Sequence, residues 1–486
     1  MQKFSFKKSS IILLCSILLM TYSCRNDDTP GTETLRKNKY VNEWIQEWMD
    51  VVYLWNTRMP VQKNKTIDPA NYFESLLYKA EDRFSYIAPD FTQLYDQLSG
   101  VQMEAGYDYT LFRASATNED VLGVINYIKP HSPASLTDLK RGDIFLTING
   151  RQLTISNYQQ LLGETSAAHI LGVYRGGADL QSISLAVIKY EENPVLLDSI
   201  YEMGGKKIAY LIFNFFAPDK GDDSYAYLKE LNAVFGKYKQ ANIDELILDL
   251  RYNGGGMVTV ATALASMISN RPASDVFSID QYNSIVDAEY KKAFGANYNK
   301  TFFTDSLRNV DGKVIEQISL NKLTGLNRFY VLASYRTASA SELIINSLKP
   351  YMDVILIGET TYGKNVGMWF IYEEDVKKQK DNRWGMLPVV VKTYNSANQS
   401  DYTHGFAPDI EADEYDNGSL LPLGDTHELL LETALVHIGV QTASALRSME
   451  KTFHSRPIMS SIDRTPIRRN MIMFQPQLQT NKNFNN

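Results

Sequence analysis

Ser339 and Lys364 are the residues whose types and surroundings most clearly allow chemistry. Residues 329–333 are an apolar run and residues 337–341 are small and mostly hydroxyl-bearing. Leu343, Ile344, Ser347 and Leu348 then recur at helical spacing. A second apolar run follows at 354–357, and after it a turn carrying Gly363 and Lys364. This pattern predicts strand, turn, helix, strand and loop in that order. It puts Ser339 at the mouth of a helix, where the first N–H groups lack intrahelical partners and the dipole is positive. A hydroxyl there can attack a carbonyl and have the oxyanion stabilised, provided that a base takes its proton. Lys364 could be that base if the fold keeps its amine uncharged. A plainer reading uses the same residues: Ser339-Ala-Ser-Glu342 is a regular S-x-x-E capping box, and a lysine in a glycine turn is ordinarily solvated.

A second anion-binding geometry lies upstream. Residues 245–250 read as a buried strand, then comes Asp249-Leu-Arg-Tyr-Asn-Gly-Gly-Gly256, then a helical pattern over 258–268. Strand, glycine turn and helix aim backbone N–H groups at an anion. A phosphate loop would end in Gly-Lys-Ser/Thr, which this turn lacks. Histidine chemistry competes within hydrolases, yet His131, His169, His404, His427, His437 and His454 are scattered, and no H-E-x-x-H or other ligand spacing points to zinc. His404, beside the C-terminal core, is the histidine best placed to approach Ser339. No cofactor or metal is implied.

The elements that must position these groups belong to an α/β multidomain chain. At 486 residues with 44% apolar content, the chain can form two or three domains, and a formal charge of −7 argues against nucleic acid as a partner. Lys3, Lys7 and Lys8 precede an apolar segment at 11–20, too short to span a bilayer and shaped like a secretory signal. It ends in Thr21-Tyr22-Ser23-Cys24, which resembles a bacterial lipoprotein cleavage site except that Thr21 stands where Leu is usual. Removing residues 1–23 as a signal peptide takes away Cys15 and three lysines, so the charge becomes −10. Cys24 would be lipidated, leaving no free thiol for a disulfide or a nucleophile. The polar stretch 24–39 reads as a tether off a membrane, with acidic residues just after Cys24 hinting at surface export.

Residues 40–97 read as an N-terminal helical domain, with Trp44, Trp48, Val51, Val52 and Trp55 as a core stripe. Residues 98–192 shift to short β-runs with Asn149-Gly150 as a hairpin turn. Residues 193–440 alternate strands and helices, interrupted at about 275–326 by a stretch with little periodicity that reads as an insertion near the cleft. The remainder, 441–486, rich in Arg, Asn and Gln, reads as a poorly ordered tail.

The runs Thr337-Ala-Ser-Ala-Ser-Glu342 and Gly358-Glu-Thr-Thr-Tyr-Gly-Lys364, with the D-L-R-x-N-x-G-G turn and His404-Gly-Phe-Ala-Pro-Asp-Ile410, resemble the carboxyl-terminal processing (tail-specific) serine peptidases of S41 type. The resemblance implies a crotonase-like Ser/Lys core with Ser339 as nucleophile and Lys364 as base. It also implies oxyanion donors at Gly255, with Gly254 and Gly256 as register neighbours, and at Ala340. Many members carry Gln four residues after the lysine; here that residue is Met368, so no third catalytic residue is assigned. Residues 81–87 match the end of the family's helical cap and receive no chemistry. Ser132-Pro-Ala134, Leu139-Lys-Arg-Gly-Asp-Ile144 and Ile148-Asn-Gly150 resemble a PDZ domain, which binds polypeptide termini by strand addition. Its peptide-binding loop would fall at Gly106 and Tyr107, followed by Asp108 where the family has glycine. The implied protein is an envelope serine endopeptidase acting on polypeptides, held to a membrane through Cys24. The alternative is a lipoprotein that binds polypeptides without cutting them.

Overall fold

A computed structural model describes residues 30–115, 117–175, 179–309, 312–416, 420–443, 457–465 and 471–473. Cys24 and the apolar segment 11–20 lie outside the described residues, among which no helix is long and apolar enough to cross a membrane. At the centre is a six-stranded sheet, in spatial order β1 (Val195–Met203), β2 (Lys206–Phe213), β3 (Glu245–Asp249), β4 (Arg328–Ala333), β5 (Asp353–Gly358) and β6 (Ile410–Glu411). β1 and β2 form an antiparallel hairpin, and every later pair is parallel. Burial on both faces explains why these strands are apolar throughout. Leu211, Leu248, Val331 and Leu356 face helices α1 (Ala226–Ala241), α2 (Val258–Ser269) and α3 (Ala340–Leu348); Tyr210, Ile247, Leu332 and Ile357 face α4 (Leu429–Ile438).

A second sheet lies against the site. Its strands run in the order 256–257, 471–473, 366–369, 389–394, 276–282, 300–302. The stretch 275–326 therefore supplies two of its strands, as well as the helix Ser284–Phe294, where the sequence pattern suggested little regular structure. Ile45, Met49, Tyr72 and Phe73 of the N-terminal helices, with Tyr53 just after the first of them, share one buried cluster with Met368, Trp369 and Met386. The first helix spans Pro30–Val52, which corrects the expectation of a tether as far as residue 39. Its added turns are exposed and hold an i,i+4 ion pair between Glu33 and Lys37, so no apolar spacing marked them.

The β-rich unit has strands at 107–113, 121–128, 144–148, 169–174 and 181–185, all antiparallel, with a helix at Tyr158–Glu164. Asn149 (φ 51°) and Gly150 (φ 73°) both have positive φ, the conformation that lets a two-residue turn follow the strand twist. Met459–Ser460 adds to the edge of this sheet and 471–473 to the second sheet, so these parts of 441–486 are strands rather than loose tail. Hydrogen bonds to waiting strand edges, not composition, order them.

The β-rich unit is fastened to the central sheet through Asp108. Along 107–113, Tyr107, Tyr109 and Leu111 face the unit's own core, so Asp108 points the other way. Arg336 Nη1 and Nη2 donate to Asp108 Oδ1 and Oδ2 at 2.8 and 2.7 Å, and both residues are buried. Burial pushes the Asp108 carboxyl up, but Arg336 outweighs it and holds the carboxyl below its usual range. Arg336→Met would strand that buried charge. A loss of about 3–5 kcal/mol is expected in urea unfolding, and Arg336→Met with Asp108→Asn should lose clearly less.

Candidate active site

β4 ends in a loop that delivers Ser339 to the mouth of α3. Ser339 sits at φ 61°, ψ −112°, a conformation that costs a non-glycine residue about 1–3 kcal/mol and must be held by its surroundings. Only half of the capping box is made: Ser339 N donates to Glu342 Oε2 at 2.9 Å, while Ser339 Oγ is buried with no hydrogen-bond partner among the described residues. The hydroxyl is thus not spent on capping the helix.

Glu342 joins this loop to the one carrying Lys364. Its Oε2 also accepts from Lys364 N at 2.8 Å, and its Oε1 accepts from Thr361 Oγ1 at 2.6 Å and Gly363 N at 2.7 Å. Burial raises the pKa of this carboxyl and the four donors oppose the rise. The serine and lysine backbones therefore share one oxygen atom.

The glycine turn is stitched to the same loop. Thr337 Oγ1 donates to Leu250 O at 2.8 Å, and Ala338 N and Ser341 Oγ both donate to Asn253 O at 3.1 Å. Asn253 Oδ1 accepts from Gly255 N at 2.8 Å, so the N–H expected to serve an oxyanion is already engaged. Ala340 is the first residue of α3, and its N–H has no intrahelical acceptor. A Cβ on Gly256 (φ 138°) would lie 2.4 Å from Phe216 O, so the chain can pass there only as glycine.

Lys364 is fully buried. Burial drives its amine down to about 7, with the charges of Asp82 and Glu342 resisting and Arg83 assisting. Nζ lies 4.8 Å from the centre of the Phe84 ring and 3.6 Å from Met368 Sδ. Met368 thus occupies the place beside the amine, as a weak sulfur acceptor. Asp82 is fixed by Tyr53 Oη at 2.7 Å and by the N–H groups of Phe84 and Ser85, both at 2.9 Å. Arg83 Nη2 donates to Gly363 O at 2.9 Å and Thr403 O at 3.0 Å. Segment 81–87, to which the sequence reading gave no chemistry, is therefore one wall of the lysine site. His404 is exposed, and no described contact joins it to Ser339.

Gly106 and Tyr107 sit apart from this centre. Gly106 O accepts from Lys129 N at 2.9 Å and Ser132 Oγ at 3.1 Å, and Tyr107 Oη meets His169 Nε2 at 2.9 Å.

Family models match at residues 207–412, as peptidase family S41, and at 40–86, as the peptidase S41 N-terminal domain. The chain belongs to peptidase family S41. The two matched segments take in the sheet from β2 onward with its serine and lysine loops, and the N-terminal helices with the wall over Lys364. A candidate S41 protease from Bacteroides fragilis has a similar crystal structure, with TM-score 0.65 and 26% identity, covering 82% of this chain and 98% of that one. A carboxy-terminal processing protease of Bacillus subtilis is 23% identical over 365 residues, and a chloroplastic C-terminal processing peptidase of Tetradesmus obliquus 22% over 330. These matches cover 74% and 65% of this S41 chain and only 66% and 60% of the relatives.

Lys364 also makes a stability prediction. The folded protein binds this proton at about 7 and an ordinary lysine at 10.5, so neither state carries it above 10.5. Between the two values only the unfolded chain is protonated, and stability falls as pH falls; below about 7 the penalty is constant. In urea unfolding across pH, the advantage of Lys364→Met over the parent should grow from pH 10.5 down to about 7 and then level off.

Proposed function

We propose that the protein is an envelope serine endopeptidase that cleaves polypeptides through an acyl-enzyme, with Ser339 as nucleophile and Lys364 as general base. One observation carries this reading: a buried lysine whose amine is brought down to about 7, on a turn tied to the nucleophile's loop through Glu342. Near neutral pH a large share of that amine is uncharged and can accept a proton, which an ordinary lysine cannot.

The neutral amine takes the Ser339 proton as Oγ attacks the scissile carbonyl. The ammonium then gives that proton to the leaving amine as the C–N bond breaks. Water enters, the amine takes its proton, and collapse of the second tetrahedral species restores the hydroxyl. Ala340 N–H is one oxyanion donor. With Gly255 N–H held by Asn253, the second falls to Gly254 or Gly256, each donor contributing about 3 kcal/mol. The unit over 98–192 is read as PDZ-like and recruits polypeptides by strand addition. Lipidation at Cys24 holds the molecule at the membrane.

The purified protein should digest an unstructured protein, and Ser339→Ala and Lys364→Ala should each slow digestion by about 10⁴-fold or more. Equal rates in all three would remove both residues from the mechanism. A parent that binds but never cuts, at neutral and alkaline pH alike, would favour the polypeptide-holding reading that Met368 in place of Gln suggests. Labelled palmitate should enter the protein in bacterial cells and be lost in Cys24→Ala; retention of label would refute the anchor.

A further inference from the structure

The strand edge at 107–113, where a PDZ-like unit would add a peptide, is already occupied by the chain itself. Ile458 N donates to Leu111 O at 2.8 Å, and Met459 and Ser460 pair antiparallel with Leu111 and Thr110. Ile458 and Met459 pack on the cluster that holds Tyr158, Leu161 and Leu162 of the facing helix, so strand and helix grip them from two sides. A short 3-10 turn, Ser461–Arg464, follows. There Ser461 Oγ donates to Asp108 Oδ2 and Arg464 Nη1 donates to Thr165 Oγ1 at 2.8 Å.

Further along the sequence, a second short strand joins the sheet beside the candidate site. Residues 471–473 pair parallel with 256–257, directly after the glycine turn, and parallel with 366–369, the strand that leaves Lys364. Residues 457–460 therefore occupy the strand edge, while 471–473 lie between two strands of the sheet that flanks the candidate site. No chain terminus takes part in the first contact: residues run on past Thr465. Asp108, where a carboxylate-binding glycine was expected, is neutralised by Arg336 and offers a terminal carboxylate nothing.

We infer that the edge groove takes an internal extended segment rather than a free carboxyl terminus, and that residues 457–465 are its resident ligand, which an incoming polypeptide must displace. The inference deepens the peptidase reading but is tested by binding, so the two can fail separately.

The test uses the full-length chain carrying Ser339→Ala, the same chain ending at residue 443, and the full-length chain carrying also Ile458→Pro, which removes the N–H that donates to Leu111 O. A fluorescent peptide of residues 457–465, as free acid and as C-terminal amide, is titrated into each and followed by polarisation. Both forms should bind the shortened and Ile458→Pro chains with equal affinity, and the unaltered full-length chain at least tenfold more weakly. Equal binding to all three chains, no binding to any, or a requirement for the free acid would overturn the inference. With Ser339 restored, chains lacking the strand contact should digest labelled casein several-fold faster if the protein is a peptidase.

Discussion

The structure around the site depends on one buried carboxylate. Glu342 takes hydrogen bonds from the backbone of Ser339, Gly363 and Lys364 and from the Thr361 hydroxyl. An acceptor with two oxygens can satisfy four donors at once, and together they oppose the cost of burying it, although burial still leaves the carboxyl above its usual range. Its position three residues into α3 lets it reach back to the Ser339 N–H and across to the next loop with one side chain. A helix-start motif thereby becomes the joint between two loops. The strained backbone of Ser339 is then a consequence of that joint: the loop is held from both sides, leaving the hydroxyl unengaged.

Around this joint the electrostatics separate the polar groups by role. Arg251 and Arg336 are buried, but each faces carboxylates at hydrogen-bond distance, Arg251 with Asp249 and Glu428, Arg336 with Asp108. Such pairs hold loops in place. Lys364 is treated differently: its amine meets an aromatic face and a thioether, and the carboxylates of Asp82 and Glu342 only moderate the effect of burial. The fold spends stability on lowering the pKa of one amine while pairing the guanidinium groups with carboxylates.

Much of this was legible in residue order. The apolar runs at 329–333 and 354–357 with the helical spacing between them foretold strand, helix and strand, and Asn149-Gly150 foretold its turn, because these signals are local. The serine and lysine could be singled out by type and setting. The wall of the lysine site could not, since Asp82, Arg83 and Phe84 lie far from Lys364 in sequence and follow no period. Nor could the pairing of Asp108 with Arg336, or the engagement of Gly255 N–H by its neighbour Asn253, because a motif names a residue without saying which donor is left over. The strands at 459–460 and 471–473 were hidden for a related reason: their order comes from edges elsewhere in the chain.

The cover over Lys364 comes from the N-terminal part of the chain, whose helices pack on the strand bearing Met368. An amine whose pKa is lowered chiefly by burial also reports whether its cover is in place. Loosening of that first helical layer would let water reach Nζ and return it to the ammonium form while the central sheet, held by its own two clusters, stayed intact. Such a molecule would regain the charge at Nζ before it fell apart, so the titration of this one amine would register damage to the first helical layer that leaves the central sheet folded.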